Sequence, residues 1–216
     1  MARSKGIAWA LLLTVVTVTV IGCGKQQVLF NGTTFSGWTA HVDEKGVDPW
    51  SIWSIKDGVI QCEGKPNGYI RTVDVYTDFK LHLEWRWSAE PTNSGVLLRA
   101  GGPDKVWPRC IEAQLKAGDA GDFVLIGHPG ATVNDVRYQD DNQMYVVIPG
   151  MVDGLEKTPG QWNAYDIECI GDTIKLRVNN RLINQATRVT DLKGWICLQS
   201  EGSPIEFRNI VVTRLE

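Results

Sequence analysis

From Phe79 to Trp87 the chain alternates without a break. Phe79, Leu81, Leu83, Trp85 and Trp87 share one side, and Lys80, His82, Glu84 and Arg86 share the other. A period of two is the mark of a half-buried β-strand. The same period returns at Ile174, Leu176 and Val178, set between Lys175 and Arg177. Asn179-Asn180 follows, a two-residue hairpin turn by composition because asparagine tolerates positive φ, and residues 181–184 run back. Further strands are predicted at 52–56, 58–63, 68–72, 95–100, 109–115, 123–126, 145–148, 164–170, 195–200 and 205–213. No sustained helical period occurs. Many short strands separated by Gly, Pro and Asn turns predict an all-β fold of two antiparallel sheets, a sandwich or jelly roll. The longest stretches without strand pattern are 127–146 and 150–160. No repeat or linker divides the chain.

The alternation also predicts a polar face. In 95–99, Val96 and Leu98 oppose Leu97 and Arg99. In 109–115, Ile111, Ala113 and Leu115 oppose Cys110, Glu112 and Gln114. With the apolar sides turned to the core, Arg86, Arg99, Glu112 and Gln114 project outward from one sheet. Carboxylate, guanidinium and amide groups together suit a ligand rich in hydroxyls, which both donate and accept; a solvated face of Arg–Glu pairs is the competing reading. Near the C-terminus, Gln199, Glu201 and Arg208 are polar residues in or beside strands that otherwise read as buried, where polar groups need partners.

The first residues read differently. Arg3 and Lys5 precede an apolar run, 7–22, that is short for a membrane span and ends Val20-Ile21-Gly22-Cys23. This is a signal-peptide pattern with a small residue and a cysteine at its end. We expect residues 1–22 to be removed, Cys23 to carry the lipid, 23–27 to be a short tether and 28–216 to be the folded domain. The protein would then be exported and held to a bacterial membrane by acyl chains alone, facing the periplasm or the cell exterior. Losing Arg3 and Lys5 takes the net charge from −3 to −5. That argues against nucleic acid, whose binding needs a basic face. Cys62, Cys110, Cys169 and Cys197 remain. They are read as buried free thiols, with three disulfide pairings open in an exported compartment, and they show no zinc spacing. Of nine tryptophans, Trp50 and Trp107 lie in predicted loops, where a ring can stack on a sugar or pack on the rim.

Seven segments, in order, resemble one family: LFNGTTFSGW (29–38), WSIKDGVI (53–60), NSGVLLR (93–99), IEAQL (111–115), GDFVLIG (121–127), PGQWNAYDIE (159–168) and GWICLQSEGSPIEFRNI (194–210). Together they resemble the 3-keto-disaccharide hydrolases. The resemblance implies a concanavalin A-like jelly roll, related in shape to laminin G domains and glucanases, in proteins that are typically exported and often lipoproteins. It also implies cleavage of a glycoside already oxidised at C3. Such chemistry needs a base near C2, a donor or cation at the developing enolate oxygen and an acid for the leaving group. The matching motifs put Glu112, Glu201 and Arg99 at the site, and we expect Glu112 and Glu201 to serve as base and acid and Arg99 to stabilise the enolate. Arg86, Gln114, Gln199, Trp107 and Trp50 would position the sugar, with His128 and Asp135 from the long loop. A divalent metal is an alternative source of positive charge, though no ligand triad stands out. Many members carry His-Gly after the Leu-Gln pair, where this chain has Ser200-Glu201-Gly202; a buried glutamate tuned toward neutrality can serve there. The expected ligand is carbohydrate. The other reading is a non-catalytic carbohydrate-binding module on the same fold. The sequence leaves the oligomeric state open.

Overall fold

The structure, a computed structural model, describes residues 24–215; the expected signal peptide and Cys23 lie outside that range. In chain order the strands are β1 (Lys25–Val28), β2 (Trp38–Val42), β3 (Trp53–Lys56), β4 (Val59–Cys62), β5 (Gly68–Thr72), β6 (Phe79–Trp87), β7 (Gly95–Gly101), β8 (Arg109–Gln114) and β9 (Phe123–Ile126). They continue with β10 (Ala131–Val133), β11 (Val136–Tyr138), β12 (Tyr145–Ile148), β13 (Asn163–Ile170), β14 (Thr173–Val178), β15 (Arg181–Ala186), β16 (Trp195–Ser200) and β17 (Ile205–Arg214). The only helix among the described residues is a single 3-10 turn, Pro49–Ile52, capped by Asp48.

Two antiparallel sheets pack face to face as a jelly roll. One has eight strands in the order β15-β14-β13-β6-β17-β4-β3, with β1 also on β17. The other has seven, β12-β9-β8-β7-β16-β5-β2, and β10-β11 form a separate hairpin. The core follows from the alternation. Phe79, Leu81, Leu83, Trp85 and Trp87 of β6 meet Val96, Leu98, Ile111, Ala113, Ile196 and Leu198 of the seven-stranded sheet. Asn179 and Asn180 both take positive φ, 49° and 68°, and close the β14–β15 hairpin, as a two-residue turn of that twist requires. The four described cysteines are free and buried.

The seven-stranded sheet is apolar on its second face too. Tyr69, Leu97, Ala100, Cys110, Val124, Ile126 and Cys197 form a separate cluster there, against which Trp107 and Trp195 pack. This explains why β7 is buried along six consecutive residues.

Several expectations need correction. Residues 25–27 are not tether: Lys25–Val28 pairs with Val211–Arg214 of β17, because the free edge of β17 offers ladder groups that Lys-Gln-Gln-Val can meet without burying a polar side chain. The stretch 127–146 contains the β10–β11 hairpin, too short for its period to stand out. Arg86 is not on the sheet of Glu112. It lies on β6, in the eight-stranded sheet, and faces outward; Nε donates to Glu206 Oε2 at 2.5 Å, and both Arg86 and Arg208 stack on Trp162. Alternation assigns a residue to a side of its strand and says nothing about which sheet the strand joins.

Arg99 departs most. The β7–β8 register shifts between Leu98 and Gly101 and Arg99 sits at φ +51°, so the side chain leaves the alternation. Its guanidinium is buried and donates to three backbone carbonyls, Asp191 at 3.1 Å and Thr77 and Gly171 at 2.9 Å. It ties the two sheets together at one end and reaches no cleft.

Candidate active site on the seven-stranded sheet

One row crosses the outer face of the seven-stranded sheet in register: Thr39, Arg71, Cys197, Leu97, Glu112, Val124 and Val147. Residues opposite one another in adjacent strands share a face, so this row is the floor of whatever lies on it. Half of the floor is roofed. The β7–β8 loop, residues 102–108, folds across it. Asp104 accepts from Tyr69 Oη at 2.8 Å and from Arg71 Nε and Nη2 at 2.9 and 3.1 Å, and Arg71 in turn stacks 4.1 Å from the Trp195 ring centroid. The other half, over β8, β9 and β12, is an open cleft of about 420 Å³.

The cleft has a polar end and an apolar end. Asn93, Glu112, Gln114, Lys116 and Glu201 line the first; Val124, Ile126, Met144, Tyr145 and Val147 line the second, with Trp107 also in the wall. Glu112 is buried and its Oε1 has no hydrogen-bond partner among the described residues. Burial, and then the charge of Glu201, hold its carboxyl well above the usual carboxylate range. Glu201 is half-buried, and burial raises its pKa as well, while a side-chain hydrogen bond from Asn93 pulls the other way. Asn93 and Glu201 also form an isolated β-bridge, which fixes the two backbones side by side. Asn93 Oδ1 is left without a partner. Gln114 Oε1 accepts from the backbone N–H of Leu115 and of Lys116, both at 3.0 Å. Its amide is thereby oriented, and Nε2 remains as a donor. Lys116 Nζ is 2.5 Å from Asp119 Oδ2 at the exposed rim.

Of the residues singled out in the sequence, Glu112, Gln114, Glu201 and Trp107 come together in this cleft. Gln199 shares the sheet face, opposite Tyr69, but lies under the roofed half, buried, with neither amide atom partnered. Trp50 packs against Phe35, 4.8 Å between centroids, at the edge of the main core. His128 sits after β9 with Nδ1 3.0 Å from the Asp140 carbonyl. Asp135 is exposed at the β10–β11 tip. Neither lines the cleft. Asn93 and Lys116 escaped sequence reasoning because nothing in their residue types separates them from loop residues. Tyr145 and Val147 had a signal: in a strand predicted at 145–148, both polar-face positions are apolar. No group of three or more His, Cys, Asp or Glu side chains stands together as a metal site among the described residues.

Taken with the family that the chain's sequence matches, this half-roofed cleft and its two carboxyl groups belong to a glycosyl hydrolase-like or carbohydrate-binding jelly-roll domain. The solved structures agree on the fold. A "putative glycosyl hydrolase" of Parabacteroides distasonis is 23% identical with a TM-score of 0.65, over 89% of this chain and 94% of that one. A β-glucanase of Bacillus licheniformis is 13% identical with a TM-score of 0.58, over 90% and 99%. A carbohydrate-binding module of Bacillus subtilis is 16% identical with a TM-score of 0.57, over 87% and 99%. No curated protein matches the chain. Residues 25–213 match the family described as the 3-keto-alpha-glucoside-1,2-lyase-like domain, and the chain belongs to that family.

Proposed function

We propose that the protein is an exported, lipid-anchored enzyme that cleaves 3-keto-glucosides by elimination and hydration. The observation that carries this reading is the carboxyl pair. Glu112 is buried in the cleft floor, its Oε1 unpartnered and its carboxyl pushed well above the usual carboxylate range, while Glu201 lines the same cleft, more open and hydrogen-bonded by Asn93. Two carboxyls pushed to different degrees suit an acid and a base. This environment favours Glu201 as the base and Glu112 as the acid.

The C3 ketone acidifies the hydrogen on C2. Glu201 takes that proton, and the electrons of the C–H bond become the enolate across C2 and C3. The Gln114 amide N–H donates to the oxygen as its charge grows. The enolate then reforms the ketone, the C1–O bond breaks, and Glu112 protonates the departing aglycone oxygen. The product is the 3-keto-glucal. Water adds to C1 and a proton returns to C2, giving 3-keto-glucose and net hydrolysis. The roofed half of the sheet supports a small glycoside over a polymer, which would need the whole face.

The test is incubation with 3-keto-glucosides of both anomers, with and without chelator, following the aglycone and the glucal. Glu112→Gln and Glu201→Gln are each expected to lower turnover about 100-fold or more while sugar binding persists. Binding by the wild-type protein without turnover of any such substrate would favour the non-catalytic module instead.

A further inference from the structure

The apolar end of the cleft has no role in the chemistry of C1, C2 and C3. Met144, Tyr145 and Val147 are 53, 60 and 47% exposed, unusual for large apolar side chains set side by side. They stand on and beside β12, the edge of the seven-stranded sheet. Tyr145 lies opposite Ile126 and Val147 opposite Val124, so all four point onto the face that carries Glu112. Trp107 packs against the cluster that holds Val124 and Ile126 and lines the cleft with Met144, Tyr145 and Val147. A sugar ring presents hydroxyls on every side and needs donors and acceptors around it. This wall offers one, the Tyr145 hydroxyl; the polar groups of the cleft gather at the Asn93, Glu112, Gln114 and Glu201 end. Contiguous exposed apolar surface marks a place that something covers, and its continuity with the carboxyl pair makes the occupant part of the same substrate.

We propose that the leaving-group half of the cleft takes an apolar aglycone, an aryl or arylalkyl group, against Trp107, Met144, Tyr145 and Val147. The proposal rests on the glycoside-cleaving reading above. The preferred substrates are then conjugates of an oxidised glucose with an apolar alcohol, rather than disaccharides.

The test compares 3-keto-glucosides of methanol and of 2-phenylethanol, both alkoxide leaving groups, so that the ratio of their kcat/KM values reports the wall. The arylalkyl substrate is expected to be favoured about tenfold or more, equivalent to about 1.4 kcal/mol. Tyr145→Ser and Val147→Ser, at exposed positions, should bring the ratio toward one. A ratio near one in the wild type, or a ratio that both substitutions leave unchanged, overturns the proposal. So does a dimer in sedimentation that buries Tyr145 and dissociates in the Tyr145→Ser variant. If neither compound is cleaved, the glycoside-cleaving reading fails. Calorimetric titration with the unoxidised methyl and 2-phenylethyl glucosides then decides the wall by itself, with about tenfold tighter binding of the second supporting it and equal affinities overturning it.

Discussion

Gly95 and Glu112 occupy neighbouring strands, and the place where a side chain at Gly95 would begin is taken by the Glu112 carboxyl: a Cβ there would overlap Oε1 and crowd Cδ and Cγ. The glycine is what allows a carboxyl to lie flat on the sheet beside the cleft. Gly95→Ala is therefore expected to push Glu112 off its position. Turnover should fall about tenfold or more while the fold survives, since a misplacement of about 1 Å in a catalytic group is enough for such losses. Steady-state kinetics and far-ultraviolet circular dichroism together check this; undiminished turnover in a folded Gly95→Ala protein counts against Glu112 as a reacting group.

The same carboxyl makes stability depend on pH. Glu112 binds its proton more firmly in the native state than in the unfolded chain. Native stability therefore declines as pH rises from the ordinary carboxylate range toward the pKa of buried Glu112. Glu112→Gln removes that penalty. The variant is expected to melt higher than the wild type at neutral pH, with the gap closing near about pH 4. In a domain of this size about 1 kcal/mol corresponds to about 2–4 °C. Melting curves at several pH values check the sign, and a gap that widens in acid is incompatible with it.

Arg99 is expected to matter for stability and not for chemistry. Replacing it by Met leaves three carbonyls without their charged donor and breaks the tie between the sheets. The cost is about 3–5 kcal/mol in all, since each buried carbonyl left unsatisfied costs about 1–3 kcal/mol. Denaturant titration measures it. KM and turnover of the folded fraction should stay close to wild type; a selective loss of turnover in a fully folded Arg99→Met protein would return the residue to the enolate.

Asp104 holds the roof. Asp104→Ala removes three hydrogen bonds, from Tyr69 and Arg71. The pair is partly exposed, so the stability cost is modest, about 1 kcal/mol. The larger effect is on the loop: protease nicking within residues 102–108 should rise. Arg71 first, then Tyr69, keeps the Asp104 pKa below the ordinary value, so the latch contributes fully above the ordinary range and is lost as pH falls through the lowered pKa. Nicking of the wild type should rise in that acid window.

The thiols provide a check on the core. Burial pushes Cys62 up to about 11 and Cys169 up to about 12, so neither forms thiolate near neutrality. A thiol reagent is expected to leave Cys62, Cys110, Cys169 and Cys197 untouched in the native protein and to modify all four after denaturation. Rapid native labelling at any of them would place it in a looser setting than the one described.

How much of this was legible in the sequence depends on what each residue's neighbours could reveal. The strand at 79–87 was plain because every second residue is large and apolar. Glu112 and Gln114 were legible for the same reason, each being polar against an apolar alternate. Arg99 was not, because a bulge reverses its direction and nothing in its residue type marks a positive φ. The sheet that carries Arg86 was not legible, because sheet membership is a long-range fact: β6 joins β13 and β17, far away in the chain. The roof over Gln199 was hidden too, since it depends on Asp104 meeting two residues of β5.

The pairing of β1 with β17 sets Lys25 directly opposite Arg214. Entry and exit of the domain thus share one doorway. A host protein could receive it within a surface loop without stretching, and tension between its two ends would peel the first pair of strands apart rung by rung instead of shearing them all at once.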